Sequence, residues 1–441
     1  MSGAARAVRV RSTRAREGWL SLDEAVLAGL APDGGLFVPI DAPPLPDDWD
    51  RATSLADLGV RVLAPWWGAE AEAVAPLLRD ALSFDAPLRP LSERRWLLEL
   101  FHGPTLSFKD VGARVMARLA GRALARRGDR ATVLVATSGD TGSAVADGFA
   151  GVPGVRVALL YPKDGVSDVQ ERQLIAARPG VRAFAVEGDF DACQRLVKQA
   201  FADEELRASG LTSANSINVG RLLPQMLYYL WGALQLRRSG EERPPYVVVP
   251  SGNLGNVTAG LLAAAAGLPV AGFLAAHNAN RFLPDVLAGA RALDAFPATV
   301  RTLSNAMDVG APSNFERLRT LHGDRLGDVL DAVSIDDDAT LRRLRTTQQD
   351  EGVAVCPHTA VGLEGLAQLR AGRPELRDPP ALVLATAHPA KFPAALQRAT
   401  GAPPPPAAVL EALRHAETRV ESLPADLAAL RARLRGGGWP D

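Results

Sequence analysis

Cysteine, net charge and long apolar segments are all scarce in this sequence, and each shortage excludes a class of protein. The two cysteines, Cys193 and Cys356, are too few for a disulfide framework, which indicates a reducing compartment and predicts a cytoplasmic protein. Lys and Arg number 49 against 50 Asp and Glu, so no charge excess favours nucleic acid or an anionic membrane as partner. An apolar stretch near Leu261 is interrupted by Gly267 and Pro269, so no segment predicts a membrane span.

Signals for secretion and for a metal site are also lacking. The N-terminus is rich in arginine but has no apolar core segment, so no secretory signal is expected. His358 and His388 have no paired Cys or His spacing, and we expect no metal ligand set. What remains is a chain of 441 residues with 47% hydrophobic and 22% charged residues, which is typical of a globular protein with two or three domains.

The stretch FHGPTLSFKD, residues 101–110, places Lys109 where a predicted strand and turn lead into a predicted helix. Thr105 and Ser107 are candidate caps of that helix. The positive end of a helix disfavours a cation, and burial lowers the pKa of an amine further. Such an amine could form a Schiff base with a carbonyl cofactor. The alternative is a solvated surface lysine.

The N-terminal segment predicts a small capping module without chemistry of its own. Ser21 and Glu24 have the spacing of a capping box at the start of a short helix. A proline-rich linker follows at residues 42–48, and the next helical pattern contains Trp66 and Trp67, which we expect to be buried.

Residues 131–136 predict a buried parallel strand that leads into a loop of glycines and hydroxyl residues and then a helix. That order forms a cradle for an anion or a carboxylate, although an ordinary turn that caps its own helix has the same pattern. The next strand, residues 155–161, ends near Lys163, at a carboxyl end where α/β sheets bind ligands. The cradle would comprise Ser138, Gly139, Asp140, Thr141, Gly142 and Ser143.

A second strand with the same continuation lies at residues 246–250. Two glycines follow it before a helix, which suits a phosphate group on the helix N-terminus, although the third glycine of the dinucleotide fingerprint is missing. The loop residues are Gly252, Asn253, Leu254, Gly255 and Asn256. A later strand, residues 381–385, leads into Thr386.

Residues 213–225 predict a polar loop that enters a helix. Amides and an arginine there could hold a phosphate, with the guanidinium binding two oxygens. The amides could equally cap the helix while the arginine pairs on the surface. The residues are Asn215, Ser216, Asn218 and Arg221.

These stretches occur in the order found in the threonine synthase family, which the sequence resembles over nearly its whole length. Any one motif is only suggestive, whereas the ordered set is highly specific. The sequence most resembles the longer bacterial and fungal branch, which has an extra N-terminal module. The motifs are STRA, DGGLFVP, FHGPTLSFKD, ATSGDTG, LYPKDGVS, GDFDACQRLVKQAF, ANSINVGRLLPQ, VPSGNLGN, SNAMDVGAPSNFERL, PHTAVG and TAHPAKF.

The resemblance implies a pyridoxal 5'-phosphate (PLP) enzyme, a carbon–oxygen lyase that converts O-phospho-L-homoserine and water to L-threonine and phosphate. Lys109 matches the Schiff-base lysine, and Thr386 matches the hydroxyl that faces the pyridine nitrogen. Residues 252–256 match the loop that holds the cofactor phosphate, and residues 138–143 match the loop near the substrate carboxylate. The positions that match the surroundings of the substrate phosphate are Asn215, Ser216, Asn218 and Arg221, with Lys163 as an addition.

The fold implied by the resemblance is a pair of open α/β lobes of the tryptophan-synthase-β-like type (fold type II), with an added N-terminal module. We expect the module at residues 1–85, a large lobe from residues 86–101 and 222–400, and a smaller lobe from residues 102–221. A helical tail is expected at residues 401–441. The cofactor should lie in the cleft between the lobes, and a small-molecule substrate is the partner implied.

Two other functions share part of this pattern. Another fold type II enzyme, such as a dehydratase, a cysteine-synthase-like enzyme or a phospho-lyase acting on the same substrate, would share Lys109 but lack a phosphate site at Asn218 and Arg221. A non-catalytic α/β ligand-binding protein would not need a buried lysine beside a complete phosphate loop. Two departures from the family pattern, Cys356 for a common aspartate and Ala311 for a common asparagine, fall outside the matched site positions.

Overall fold

The computed structural model describes residues 6–137 and 139–440, and the chain begins with a module built on a three-stranded sheet. Strand β1 pairs antiparallel with both β2 and β3. The predicted capping box forms, with Ser21 and Glu24 bonded reciprocally, and Trp66 and Trp67 are buried as expected. The module comprises β1 (Arg9–Ser12), β2 (Leu20–Ser21), α1 (Leu22–Ala28), β3 (Phe37–Pro39), α2 (Leu55–Leu63) and α3 (Ala71–Ala81).

After the module the chain forms two strands of one lobe and then most of the other. Strands β4 (Leu88–Leu91) and β5 (Arg95–Glu99) join the large-lobe sheet. The smaller lobe follows as α4 (Lys109–Arg127), β6 (Ala131–Ala136), α5 (Asp140–Phe149), β7 (Val155–Pro162), α6 (Asp168–Ile175), β8 (Val181–Glu187), α7 (Phe190–Ala202), α8 (Glu204–Ala208) and β9 (Leu211–Thr212).

The large lobe holds the remaining strands predicted from apolar runs. The residues of β10 are all buried, as expected for a central strand of a parallel sheet covered on both faces. Its elements are α9 (Val219–Leu222), α10 (Met226–Arg238), β10 (Tyr246–Pro250), α11 (Gly255–Ala265), β11 (Gly272–His277), α12 (Phe282–Leu287), α13 (Phe315–His322), α14 (Leu326–Val329), β12 (Asp331–Ser334), α15 (Asp337–Glu351), α16 (Pro357–Gly372), β13 (Ala381–Ala385) and α17 (Pro393–Thr400).

The tail returns to the smaller lobe. The sequence predicts a helical tail, and the structure adds a strand to it: α18 (Ala408–Leu413) and α19 (Leu427–Arg435) flank β14 (Glu421–Pro424). Strand β14 pairs parallel with β8 at the edge of the sheet. The smaller lobe therefore has the strand order β14-β8-β7-β6-β9, and the large lobe has the order β12-β11-β10-β13-β5-β4.

Both sheets are parallel apart from β4, so each presents its strand carboxyl ends along one edge. The predicted ligand loops all follow such ends, which confirms the expected α/β fold class. The largest hydrophobic core runs without interruption from the module through both lobes. No helix within the described ranges has the length and apolar composition needed to cross a bilayer.

Candidate active site

Lys109 is the first residue of α4, and the loop before it is fixed against the segment that follows β13. The Phe108 amide donates to the Thr386 carbonyl at 2.8 Å, and the His388 amide donates to the Leu106 carbonyl at 3.0 Å. These two bonds bring Lys109 and Thr386 together, although they come from strand ends nearly three hundred positions apart along the chain.

The two predicted caps of α4 have other roles. The residue before the helix, Phe108, makes no side-chain cap bond. Thr105 instead donates from its hydroxyl and its amide to the Asp110 carboxylate, at 2.5 and 2.9 Å, while the buried Ser107 hydroxyl has no partner among the described residues. A Cβ on Gly103 would lie 2.5 Å from Asp110 Oδ2, so the turn needs glycine there. The capping prediction for Thr105 and Ser107 is therefore wrong.

Lys109 is partly accessible from the cleft, and its amine has an unusual electrostatic setting. Burial lowers the pKa of the Lys109 amine to about 8, the nearby charges of Arg221 and Lys391 lower it as well, and the Asp140 carboxylate opposes them. The direction is the one expected from the sequence. Two of its causes, the cations Arg221 and Lys391, were not expected.

Lys391 forms a buried ion pair that the sequence did not reveal. Its Nζ lies 2.8 Å from Asp140 Oδ1 and donates to the Thr105 carbonyl at 2.9 Å, and its side chain has no exposed surface. Burial raises the pKa of Asp140, but the charges of Lys391 and Lys109 outweigh this and hold that pKa well below its ordinary value. The one available signal was a lysine inside an otherwise apolar segment after a strand.

A large-lobe loop that contains Asn305 and Ala306 bonds to two side chains near this ion pair. Gln170 donates to Asp140 Oδ1 at 3.2 Å and accepts from Asn305 Nδ2 at 3.4 Å. His358 Nε2 accepts the Ala306 amide at 3.2 Å, and burial lowers the pKa of His358 to about 4. The Asp140 charge opposes that shift and the charges of Lys109 and Lys391 add to it, and with this lowered pKa His358 is a neutral imidazole near neutral pH.

The predicted carboxylate cradle begins at the N-terminus of α5. Thr137 Oγ1 accepts the amides of Gly139 and Gly142 at 3.0 and 2.8 Å, and Ser143 Oγ donates to the Gly139 carbonyl at 3.2 Å. These hydroxyls therefore serve the turn itself, as the alternative interpretation stated. Thr141 is partly exposed. Ser138, also predicted here, lies outside the described residues.

The glycine loop between β10 and α11 is closely packed against the backbone of a neighbouring loop. A Cβ on Gly252 would lie 2.7 Å from Met307 Cα, and Leu254 has a left-handed backbone with φ of 62°. At the first turn of α11 the backbone amides have no intrahelical acceptor. Asn256 Oδ1 accepts the Tyr229 hydroxyl at 2.8 Å, while its buried Nδ2 has no partner in the described part of the chain.

The polar loop of residues 213–218 lies against the glycine loop. Asn253 Nδ2 donates to Ser216 Oγ at 2.6 Å, and Asn253 Oδ1 accepts the Ser313 amide at 2.5 Å. Asn314 adds a bond to the Asn253 carbonyl at 3.0 Å. The two loops that the sequence assigns to two different phosphates are thus in direct contact.

Asn215, Asn218 and Arg221, three of the four residues predicted around a substrate phosphate, differ in how many of their polar atoms are already hydrogen-bonded within the protein. Asn218 donates to the carbonyls of Val26 and Ser213, both at 2.9 Å, and caps α9 through its Oδ1, so its amide serves the fold. Arg221 is 3% exposed and donates to the Ala214 carbonyl at 2.6 Å, yet its Nε has no partner in the described ranges. Asn215 is partly exposed.

Arg221 reaches the site because α9 and α4 touch at a glycine. A Cβ on Gly112 would lie 2.8 Å from the Arg221 carbonyl oxygen and 3.2 Å from its Nε. Gly112 is one turn beyond Lys109 on the same face of α4. Burial lowers the pKa of Arg221 to about 10, which still leaves it charged near neutral pH. Lys163 is exposed directly after β7, and within the described ranges its side chain makes no ion pair.

Comparison with known proteins identifies the family. The family model described as threonine synthase N terminus matches residues 9–81, and that of threonine synthase, C-terminal, matches residues 359–433. The model of pyridoxal-phosphate dependent enzymes matches residues 84–386. A threonine synthase of Escherichia coli is 41% identical over 429 residues, which cover 93% of this chain and 96% of the relative. The chain belongs to the threonine synthase family.

Further relatives agree with this assignment. A threonine synthase of Haemophilus influenzae is 40% identical over 424 residues, covering 94% of this chain and 96% of the relative. The crystal structure of a PLP-bound threonine synthase from Brucella melitensis superimposes with a TM-score of 0.89 at 34% identity, covering 97% of this chain and 99% of that one. The predicted family, fold class and PLP dependence are confirmed.

The residues present in this threonine synthase family member fit PLP. The glycine loop offers free amides at the start of α11, and the orphaned Asn256 Nδ2 adds a buried donor beside them. Lys109 supplies a partly accessible amine of lowered pKa. The loop donors suit the phosphate group of PLP, and the Lys109 amine suits its aldehyde group.

Arg317, which lies in the family motif SNAMDVGAPSNFERL, is a site-supporting residue that the sequence reasoning missed. Its fully buried guanidinium donates to the Phe37 carbonyl of the module at 2.9 Å, to the Ile217 carbonyl at 2.5 Å and to Asn314 Oδ1 at 2.5 Å. Burial lowers the pKa of Arg317 to about 9. This side chain therefore fastens the polar loop to the N-terminal module.

Proposed function

We propose that this enzyme converts O-phospho-L-homoserine and water to L-threonine and phosphate, the last step of threonine biosynthesis. The observation that supports this best is the buried cation Arg221 close to the Lys109 amine, with the glycine loop nearby as a separate anion site. A phosphorylated amino acid needs such an arrangement, because its own phosphate and that of the cofactor must both be held in one cleft.

Lys109 is the proposed catalytic residue. When bound, PLP supplies an electron sink for carbanions that form on the substrate. Lys109 would hold the cofactor's aldehyde carbon until the substrate amine replaces it. Its freed amine, with a pKa of about 8, is then a suitable base for the proton on Cα and next for the proton on Cβ. Loss of phosphate from Cγ, addition of a proton at Cγ, addition of the hydroxyl of water at Cβ and return of a proton to Cα complete the reaction, so that both abstracted protons are restored.

The remaining proposed contacts orient the two ligands. Residues 252–256 would hold the cofactor phosphate, and Thr386 would place a neutral hydroxyl near the ring nitrogen. Residues 138–143 would receive the substrate carboxylate at the N-terminus of α5. Arg221 would bind the substrate phosphate, with Asn215 and Ser216 as neutral donors. Asn218 would act by holding this loop, since its amide is already bonded within the fold.

A cytoplasmic location is part of the same proposal. Cys193 and Cys356 are both buried free thiols, and burial raises the pKa of each. Thiols of this kind are inert packing groups, as expected for a protein of a reducing compartment.

The direct test is incubation of the purified enzyme with O-phospho-L-homoserine, with threonine and phosphate measured in the same samples. We expect equal amounts of the two products. Phosphate without threonine would indicate a phospho-lyase instead, and absence of both products would contradict the proposal. Lys109→Ala should form neither product and should retain no cofactor after borohydride reduction, while Lys198→Ala, at an exposed lysine, should behave like the wild type.

A further inference from the structure

The buried ion pair between Lys391 and Asp140 connects the two lobes. Lys391 follows β13 of the large lobe, and Asp140 begins α5 of the smaller lobe. Their charged atoms are 2.8 Å apart, and neither side chain has more than 3% of its surface exposed. The pair is therefore separated from solvent.

Such a pair is held in one geometry by its remaining hydrogen bonds. Lys391 also donates to the Thr105 carbonyl, and Gln173 donates to the same carbonyl at 3.1 Å. Asp140 receives a second donor from Gln170. Because breaking one partner of a buried pair leaves an uncompensated charge, the position of each group depends on the other.

The composition of the chain sets these lysines apart. The sequence contains only four lysines, Lys109, Lys163, Lys198 and Lys391, in a chain rich in arginine. Lys163 and Lys198 are exposed, whereas the other two lie in the candidate site. A compact ammonium fits where a planar guanidinium would need more room and more acceptors.

The Asp140 carboxylate acts on both lysines of the site, through a direct ion pair with Lys391 and through its charge at longer range on Lys109. The other ionisable groups that interact with this cluster are Arg221 on α9, Asp110 on α4, His358 on α16 and His388 in the segment after β13. We propose that Lys391 is a positioning residue for the reaction, which holds the Asp140 carboxylate across the lobe interface and so fixes the negative charge that acts on the Lys109 amine.

The charge balance predicts opposite effects for the two partners. Loss of Lys391 removes a like charge and leaves Asp140 with Lys109 as its remaining lysine partner, so the Lys109 amine should hold its proton more tightly. Loss of the Asp140 charge leaves Lys109 facing Lys391 and Arg221 only, so the amine should release its proton more readily. A residue that merely supports packing would not produce opposite shifts.

The test measures the protonation of Lys109 directly in the full-length chain after cofactor release. Acetic anhydride labels uncharged amines, and mass spectrometry gives the labelling rate of each lysine against pH. Lys163 and Lys198 are internal references in every sample. Lys391→Met should raise the apparent pKa of Lys109 by about one unit, and Asp140→Asn should lower it by about one unit.

A second comparison tests the proposal in case one of the single variants does not fold. If Lys391→Met does not fold, the neutral double variant Asp140→Asn/Lys391→Met is compared with Asp140→Asn alone, because the two differ only in the Lys391 charge. The pKa of Lys109 should be higher in the double variant. In the cofactor-loaded enzyme, the pH profile of kcat/KM should move in the same directions.

The proposed role of Lys391 rests on the proposed role of Lys109, and one experiment distinguishes failure of the first from failure of the second. Borohydride reduction of the loaded wild type followed by peptide mapping should locate the cofactor on Lys109. Cofactor found on Lys391 would overturn both proposals. Cofactor on Lys109 together with equal pKa values in all folded variants would overturn the role of Lys391 alone.

Discussion

Asn253 Nδ2 donates to Ser216 Oγ at 2.6 Å, and this bond joins the loop proposed for the cofactor phosphate to the loop proposed for the substrate phosphate. The Ser216 carbonyl also receives a bond from Asn314 at 3.4 Å, and Asn314 binds the Asn253 carbonyl. The two anion sites therefore share a wall, so a change on one side of this wall should be felt on the other.

Ser216→Ala should weaken the binding of both ligands. The substitution leaves Asn253 Nδ2 without its acceptor, which costs about 1–2 kcal/mol, or roughly 5- to 30-fold in the cofactor dissociation constant. The KM for phosphohomoserine should rise as well. Absorbance titration of the released enzyme with PLP measures the first effect. Ser239→Ala, at an exposed serine at the end of α10, is the matched control. An unchanged dissociation constant for PLP would show that the two anion sites do not depend on each other through this bond.

Arg221→Ala should affect the substrate and spare the cofactor. Losing one charge-assisted bond to a buried anion costs about 2–4 kcal/mol, which corresponds to roughly 30- to 1000-fold in kcat/KM. Bound PLP and its visible absorbance should be retained. Arg207→Ala, at an exposed arginine on α8, is the control for loss of a positive charge.

A variant Arg221→Ala with near wild-type kcat/KM would show that the substrate phosphate is bound elsewhere. Lys163 is then the next residue to replace. Because Arg221 also holds the Ala214 carbonyl, the melting temperature of the variant should be measured alongside its kinetics.

Gly252→Ala should lower the affinity for PLP. The added Cβ would lie 2.7 Å from Met307 Cα, which is a backbone atom that cannot move aside easily. Overpacking of this kind costs about 1–3 kcal/mol, or roughly 5- to 150-fold in the cofactor dissociation constant. Gly372→Ala, at the end of α16 with open space around the position, should leave binding unchanged. Equal cofactor content in both variants would contradict the proposed loop.

His358 should make the protein less stable in mild acid. Its folded pKa is about 4 against an ordinary value of 6.5, because burial disfavours the charged imidazolium. The stabilising contribution is complete above the unfolded pKa and is lost as pH falls toward the folded one, amounting to about 2 kcal/mol by about pH 5.

His358→Gln keeps an acceptor for the Ala306 amide but cannot take up a proton. We expect the melting temperature of this variant to fall less between about pH 7 and about pH 5 than that of the wild type. His277 is buried with a similarly lowered pKa of about 4, so part of the acid sensitivity should persist. His415→Gln, at an exposed histidine, should match the wild type.

The central strands were predictable because burial on both faces leaves a simple pattern. Residues 131–136, 246–250 and 381–385 are short apolar runs followed by glycine or hydroxyl residues, and each is a strand with those bounds. The edge strands β12 and β14 contain charged or proline residues and have no such run. Their pairing depends on the neighbouring strand, which sequence periodicity does not record.

The residues of the site likewise fall into two groups, those that the local sequence pattern indicates and those that depend on contacts between distant parts of the chain. Lys109 and the glycine loop stand out because strand, loop and helix follow each other within a few residues. The ion pair of Asp140 with Lys391 and the support of the polar loop by Arg317 join distant parts of the chain, and neither partner indicates the other locally. Asn218 shows the opposite case, since its helix-capping role was one of the two interpretations open from sequence.

The bond from Arg317 to Phe37 has a consequence for how this enzyme can be altered. The acceptor is a main-chain oxygen, so the side chain at position 37 matters little to it, whereas the path of the chain from β1 to β3 matters a great deal. A single inserted or deleted residue in β3 would place a different carbonyl next to the Arg317 guanidinium. A chimera joined within residues 9–39 should therefore keep the number of residues in this segment unchanged.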